Sequence, residues 1–117
     1  RIMAIISSHA LNGVDGTHAN GIGVKFVATR EQKVVFYDTM DNGGRLFREI
    51  SGVDLDKNEI YELIFDTGDY WRKRDFLAAD FQIIEQVVIR FNMPDLEKKY
   101  HIPLILNPHS YSVWTSG

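Results

Sequence analysis

The chain is interrupted by turns so often that no long element fits into it. Turn-forming clusters fall at residues 12–21, 30–32, 41–44, 51–58, 67–69 and 94–99, and most of the runs between them are short and rich in β-branched and aromatic residues. Residues 1–10 start apolar (Ile2-Met3-Ala4-Ile5-Ile6) and turn polar at Ser7-Ser8-His9, which suits a strand buried at one end. If it stays extended, Met3, Ile5, Ser7 and His9 share a face. Residues 22–29 and 33–39 read as a hairpin, and 46–50 as a short fourth strand. Residues 59–66 alternate, with Tyr61, Leu63 and Phe65 on one face and Glu62, Ile64 and Asp66 on the other.

Residues 70–79 are charged and then rich in Leu and Ala, which predicts a short helix. Residues 81–92 fit either a continuation of that helix or a long strand. The strand is favoured by β-branching and by the shared face of Phe81, Ile83, Val87, Ile89 and Phe91. Two final strands are predicted at 100–106 and 110–116. In the first, Ile102, Leu104 and Leu106 turn to one side and His101 and Ile105 to the other. About eight short strands with one short helix predict an all-β fold, a two-sheet antiparallel sandwich.

At 117 residues this is a single domain, 1–117, large enough for a core without disulfide or metal staples. No apolar run reaches the length that spans a bilayer, so no membrane partner is expected. A net charge of -3, with no dominating basic cluster, argues against nucleic acid. The one tight basic group, Arg72-Lys73-Arg74, is flanked by Asp69 and Asp75 and reads as a solvated turn or helix face. The absence of cysteine removes disulfides, thiolate metal sites and cysteine nucleophiles. A cytoplasmic location is expected, with the periplasm as the alternative if a leader has been removed.

Few catalytic patterns survive inspection. There is no Gly-x-Ser-x-Gly elbow, and the histidines at 9, 18, 101 and 109 have no metal-ligand spacing, so no metal is expected. Gly21-Ile22-Gly23 lacks the third glycine and following helix of a dinucleotide loop. What remains is His9, Arg45 and His101, each at the end of a predicted strand or the exit of a turn. Taken singly, each is more often an ordinary surface residue.

Four ordered motifs weigh against that reading. They are Ser8-His9-Ala10-Leu11, the turn Thr39-Met40-Asp41-Asn42-Gly43-Gly44-Arg45, the block Tyr61-Glu62-Leu63-Ile64-Phe65-Asp66-Thr67-Gly68-Asp69-Tyr70, and Tyr100-His101-Ile102-Pro103-Leu104-Ile105-Leu106-Asn107-Pro108 followed by Tyr111-Ser112. Together they resemble the transthyretin-like 5-hydroxyisourate hydrolases, over about residues 7–113. The resemblance implies a transthyretin-like sandwich that assembles as a homotetramer, a dimer of dimers with active sites in a central channel. It implies hydrolysis of 5-hydroxyisourate, a small-molecule substrate of urate degradation, with no cofactor. His9, Arg45 and His101 would be catalytic, and Tyr111, Trp114, Thr115 and Ser116 would contact the substrate.

The terminus departs from the family's Tyr-Arg-Gly-Ser ending, because this chain reads Trp114-Thr115-Ser116-Gly117. Thr115 offers neither the charge nor the forked donors of an arginine. Ser116 stands one position early, which on a continuous strand would turn it to the opposite face. Two alternatives therefore remain open: a relative that hydrolyses another small cyclic amide or heterocycle, and a non-catalytic carrier of a small ligand.

Overall fold

The computed structural model describes residues 2–74 and 81–116. Its strands are β1 (Met3–Asn12), β2 (Gly23–Ala28), β3 (Lys33–Thr39), β4 (Arg45–Ser51), β5 (Ile60–Phe65), β6 (Val87–Asn92), β7 (Lys99–His101), β8 (Leu104–Asn107) and β9 (Ser110–Val113), and the one α-helix among the described residues is α1 (Thr67–Arg72). One sheet runs β4-β1-β8-β9, with β7 also paired to β1, and the other runs β3-β2-β5-β6. The expected two-sheet sandwich is what forms.

The period-2 pattern accounts for the core. Ala4, Ile6 and Ala10 of β1 point inward, as do Val24 and Phe26 of β2 and Tyr61, Leu63 and Phe65 of β5. Phe26 gathers the rings of Phe36, Tyr61 and Phe91 at centroid distances of 5.3, 4.9 and 6.0 Å. Tyr70 and Trp71 of α1 close one end of this core, edge to face at 5.0 Å. Two buried polar side chains tie the layers together: Ser8 Oγ donates to the Ile102 carbonyl at 2.6 Å, and Asn12 Nδ2 donates to Tyr70 Oη at 3.0 Å.

Four boundaries differ from the sequence expectation. The helix starts at Thr67 rather than at 70 and runs to Arg72; the predicted residues 75–79 lie outside the described residues. The strand expected over 81–92 begins only at Val87, which pairs with Phe65, the last residue of β5. Beyond Phe65 the neighbouring chain turns into α1, so residues 81–86 have no ladder to join. Phe81 and Ile83 are accordingly 70% and 80% exposed instead of facing the core. The strand expected over 100–106 is split into β7 and β8 at Ile102 and Pro103, because proline has no N–H to give to a ladder. Finally, β9 stops at Val113 rather than running to 116.

Pairing is antiparallel except where β1 meets the C-terminal segment. There β1 pairs in parallel with β7 through Ser7↔His101 and with β8 through Ala10↔Leu104. Arg72 behaves as expected for a solvated helix end, donating to Glu85 at 3.0 Å and to Asp69 at 3.4 Å.

Candidate active site

Sheet register alone assembles the central group. His9 lies directly opposite Arg45 on β4, and Ser7, two residues before it on β1, lies opposite His101 on β7. Paired residues leave a sheet on the same side, and residues i and i+2 share a face. His9, Arg45 and His101 therefore project from one face, the side of β1 away from the core. Ala4, Ile6, Ser8 and Ala10 occupy the other face.

The Arg45 side chain is placed by a tight turn. Asp41 Oδ1 accepts the backbone N–H of both Gly43 and Arg45 at 2.9 Å, and the Asp41 carbonyl accepts Gly44 N–H at 2.9 Å. Gly44 sits at φ 69° and its carbonyl takes the Ala10 N–H at 2.8 Å, which locks the turn onto β1 next to His9. Arg45 itself is exposed, and no described carboxylate lies within ion-pair distance of it. Arg48, Arg72 and Arg90, by contrast, are each paired with a carboxylate. The Arg45 guanidinium thus keeps its forked donors for a ligand.

Both histidines are half-buried and each has a partner that sequence reasoning missed. Ser7 Oγ lies 2.7 Å from His101 Nδ1, and His9 Nε2 lies 2.8 Å from Nδ1 of His18. Ser7 carried a usable signal, since it shares the outer face of β1 with His9. His18 carried none, because it comes from a loop with no periodicity. The bond from Ser7 fixes the ring of His101 at Nδ1 and leaves its Nε2 uncommitted.

The environment lowers the pKa of both rings from the ordinary 6.5. For His9 the causes are burial first, then the charges of Arg45 and His18, with a backbone hydrogen bond to Gly43 acting the other way. For His101 they are burial, then Lys99 and Arg45. Both rings are therefore predominantly neutral at neutral pH; either can accept a proton but neither holds one in advance.

A stability prediction follows from the same directions. Below 6.5 the unfolded chain binds more protons at these positions than the folded one, so stability falls as the pH drops from 6.5 towards the lowered values. The melting temperature is expected to decline over that interval, with a shallower slope in the His9→Ala/His101→Ala double variant. A slope unchanged by both substitutions would remove these rings as its cause.

The C-terminal residues divide. The antiparallel bridge His101↔Ser116, with Ser116 N–H donating to the His101 carbonyl at 3.0 Å, sets Ser116 beside His101. Val113 faces the core opposite Leu104, so the alternation of β9 carried on through Trp114 and Thr115 also turns Ser116 to the outer face, that of His101. Thr115 and Ser116 border a cleft of about 370 Å³ with Asn92, Lys98, Lys99 and His101. That cleft excludes His9 and Arg45, so it adjoins the three-residue group without covering it.

Tyr111 pairs with Leu106 and so leaves β9 on the core side of the sheet, 45% exposed at its edge. Its register neighbour Ser112, opposite Ile105, takes the outer face instead. Trp114 is also 45% exposed, lies beyond the strand, and donates its N–H to the Pro103 carbonyl at 3.3 Å. Register thus brings Ser116 to the group and leaves Tyr111 on the other side.

Comparison with known proteins agrees with this architecture. Residues 6–116 match the model of the HIUase/transthyretin family. The 5-hydroxyisourate hydrolase of Pseudomonas aeruginosa is 27% identical over 114 residues, covering 96% of this chain and 90% of that one. The 5-hydroxyisourate hydrolase of Ralstonia nicotianae is 30% identical over 115 residues, covering 96% and 97%. The crystal structure of transthyretin from Sparus aurata superposes with a TM-score of 0.81 at 22% identity, covering 95% of each chain.

Proposed function

Because the chain belongs to the HIUase/transthyretin family, we propose that it hydrolyses 5-hydroxyisourate. The observation that carries this reading is the convergence of two neutral imidazoles and an unpaired guanidinium on one sheet face. Hydrolysis of a cyclic amide needs a base for water, donors for the oxygen that gains charge, and a proton for the departing nitrogen.

In this reading a neutral histidine, His9 or His101, takes a proton from water as its oxygen attacks the C6 carbonyl. Arg45 donates to the carbonyl oxygen while negative charge builds there. The N1–C6 bond then opens, and the imidazolium just formed returns the proton to N1, giving 2-oxo-4-hydroxy-4-carboxy-5-ureidoimidazoline. One proton is taken and one returned, so the protein ends as it began. The reading extends to a homotetramer with this face lining a channel. It is supported by Phe47, which is 57% exposed on the same outer face of the sheet two residues from Arg45.

The test is the absorbance decay of 5-hydroxyisourate made in place by urate oxidase, with and without this protein. Acceleration proportional to protein concentration is the expected result. Decay at the spontaneous rate in the presence of folded protein would reject this substrate.

A further inference from the structure

His18 lies in the loop after β1, yet its backbone is held as firmly as a strand residue. The Asn12 N–H donates to the Thr17 carbonyl at 2.8 Å and the Ala19 N–H to the Ala10 carbonyl at 2.9 Å, so the loop folds back beside β1 where β4 has ended. Asp15 braces it by accepting the Thr17 N–H and hydroxyl at 3.0 and 2.6 Å. The bridge Leu11↔His18 then directs the His18 side chain to the outer face, the face of His9.

There the two rings meet, with Nε2 to Nδ1 at 2.8 Å, centroids 4.9 Å apart and planes inclined by 27°. A contact between exposed polar groups adds little to stability. Its effect falls on His9, whose ring can neither rotate nor change tautomer freely while His18 is in place.

We infer that His18 is a positioning residue for His9, and that the two imidazoles take up and release protons as one coupled unit. A neutral pair needs one N–H between the rings, one nitrogen donating and the other accepting. A second proton would set two N–H groups against each other across 2.8 Å. The charged groups around the pair do not relieve this. Arg45 on β4 acts on His9 as a cation, His101 on β7 does so only once it is itself protonated, and Lys99 lies on β7 beyond His101. The loop carboxylates are taken, Asp15 by Thr17 and Asp41 by the N–H groups of Gly43 and Arg45. The pair therefore holds one proton readily and the second only after its bond breaks, which separates its two macroscopic steps.

The kinetic side of this inference rests on the hydrolytic role of His9, while the titration does not. NMR titration of the His9 imidazole resonances in the intact protein should show two steps. In His18→Ala, His9 should titrate in one step, and turnover of 5-hydroxyisourate should fall roughly ten- to a hundredfold from loss of ring orientation. His18→Asn, whose amide reaches the same ring nitrogen, should recover much of the rate while His9 still titrates in one step. A single-step curve at His9, unaltered by His18→Ala, would overturn the coupling. A rate equally low in His18→Asn and His18→Ala would overturn positioning. Absence of turnover in the unmodified protein would instead sink the hydrolase reading, and the titration would still decide the coupling.

Discussion

His101→Ala is expected to slow 5-hydroxyisourate turnover by roughly 10²–10⁴-fold, and His9→Ala by a similar factor, the usual contribution of a positioned proton-transfer group. Both rings sit on the outer face of the sheet, so their loss opens no core cavity and the variants should remain folded. Burial and nearby cations keep both rings unprotonated at neutral pH, which is the state a base requires. The arrangement around His101 sharpens the test. Ser7→Ala removes its partner at Nδ1 and should lower the rate less than His101→Ala, because the ring remains but is no longer held. His109 is exposed between β8 and β9, away from the group, and His109→Ala should leave the rate unchanged. Folded His9→Ala and His101→Ala variants with undiminished rates would remove both residues from the chemistry.

Gly44→Ala is expected to destabilise the fold by about 2–4 kcal/mol, combining left-handed backbone strain with overpacking. Gly44 has φ 69°, and a Cβ there would meet the Ala10 carbonyl oxygen at 2.6 Å and the Ala19 carbonyl oxygen at 3.1 Å. Those are backbone atoms, so no side chain can swing away. Relief requires β1, the His18 loop or the turn before Arg45 to move, and each of them positions a member of the candidate site. Turnover should therefore fall beyond what the lost stability explains. Gly16→Ala is the matched comparison, with φ 77° but nothing within 4 Å of the added carbon. It carries the backbone strain without the collision and should lose only about 1 kcal/mol. Denaturant midpoints for the two variants measure the difference, and equal losses would show that close packing at Gly44 is unimportant.

How much could be read in advance depended on the range of the interaction. Alternation at Tyr61, Leu63 and Phe65, and at Ile102, Leu104 and Leu106, identified inward faces correctly, because strand geometry is local. The same rule misled at Phe81 and Ile83, where alternation continues but no neighbouring strand does.

The sequence by itself determined the alternating runs, the turns between them and the order of four motifs, and from these the sandwich class and the three residues His9, Arg45 and His101. Side-chain period and turn chemistry depend on neighbours a few residues away, so they are visible in one dimension. Only the tertiary structure decided that Ser7 holds His101, that His18 holds His9 and that Gly44 must lack a side chain. Each of these follows from sheet register or loop closure between segments far apart in the chain, or from a backbone approach of a few ångströms. Such contacts exist only once β1 has found β4, β7 and β8 together.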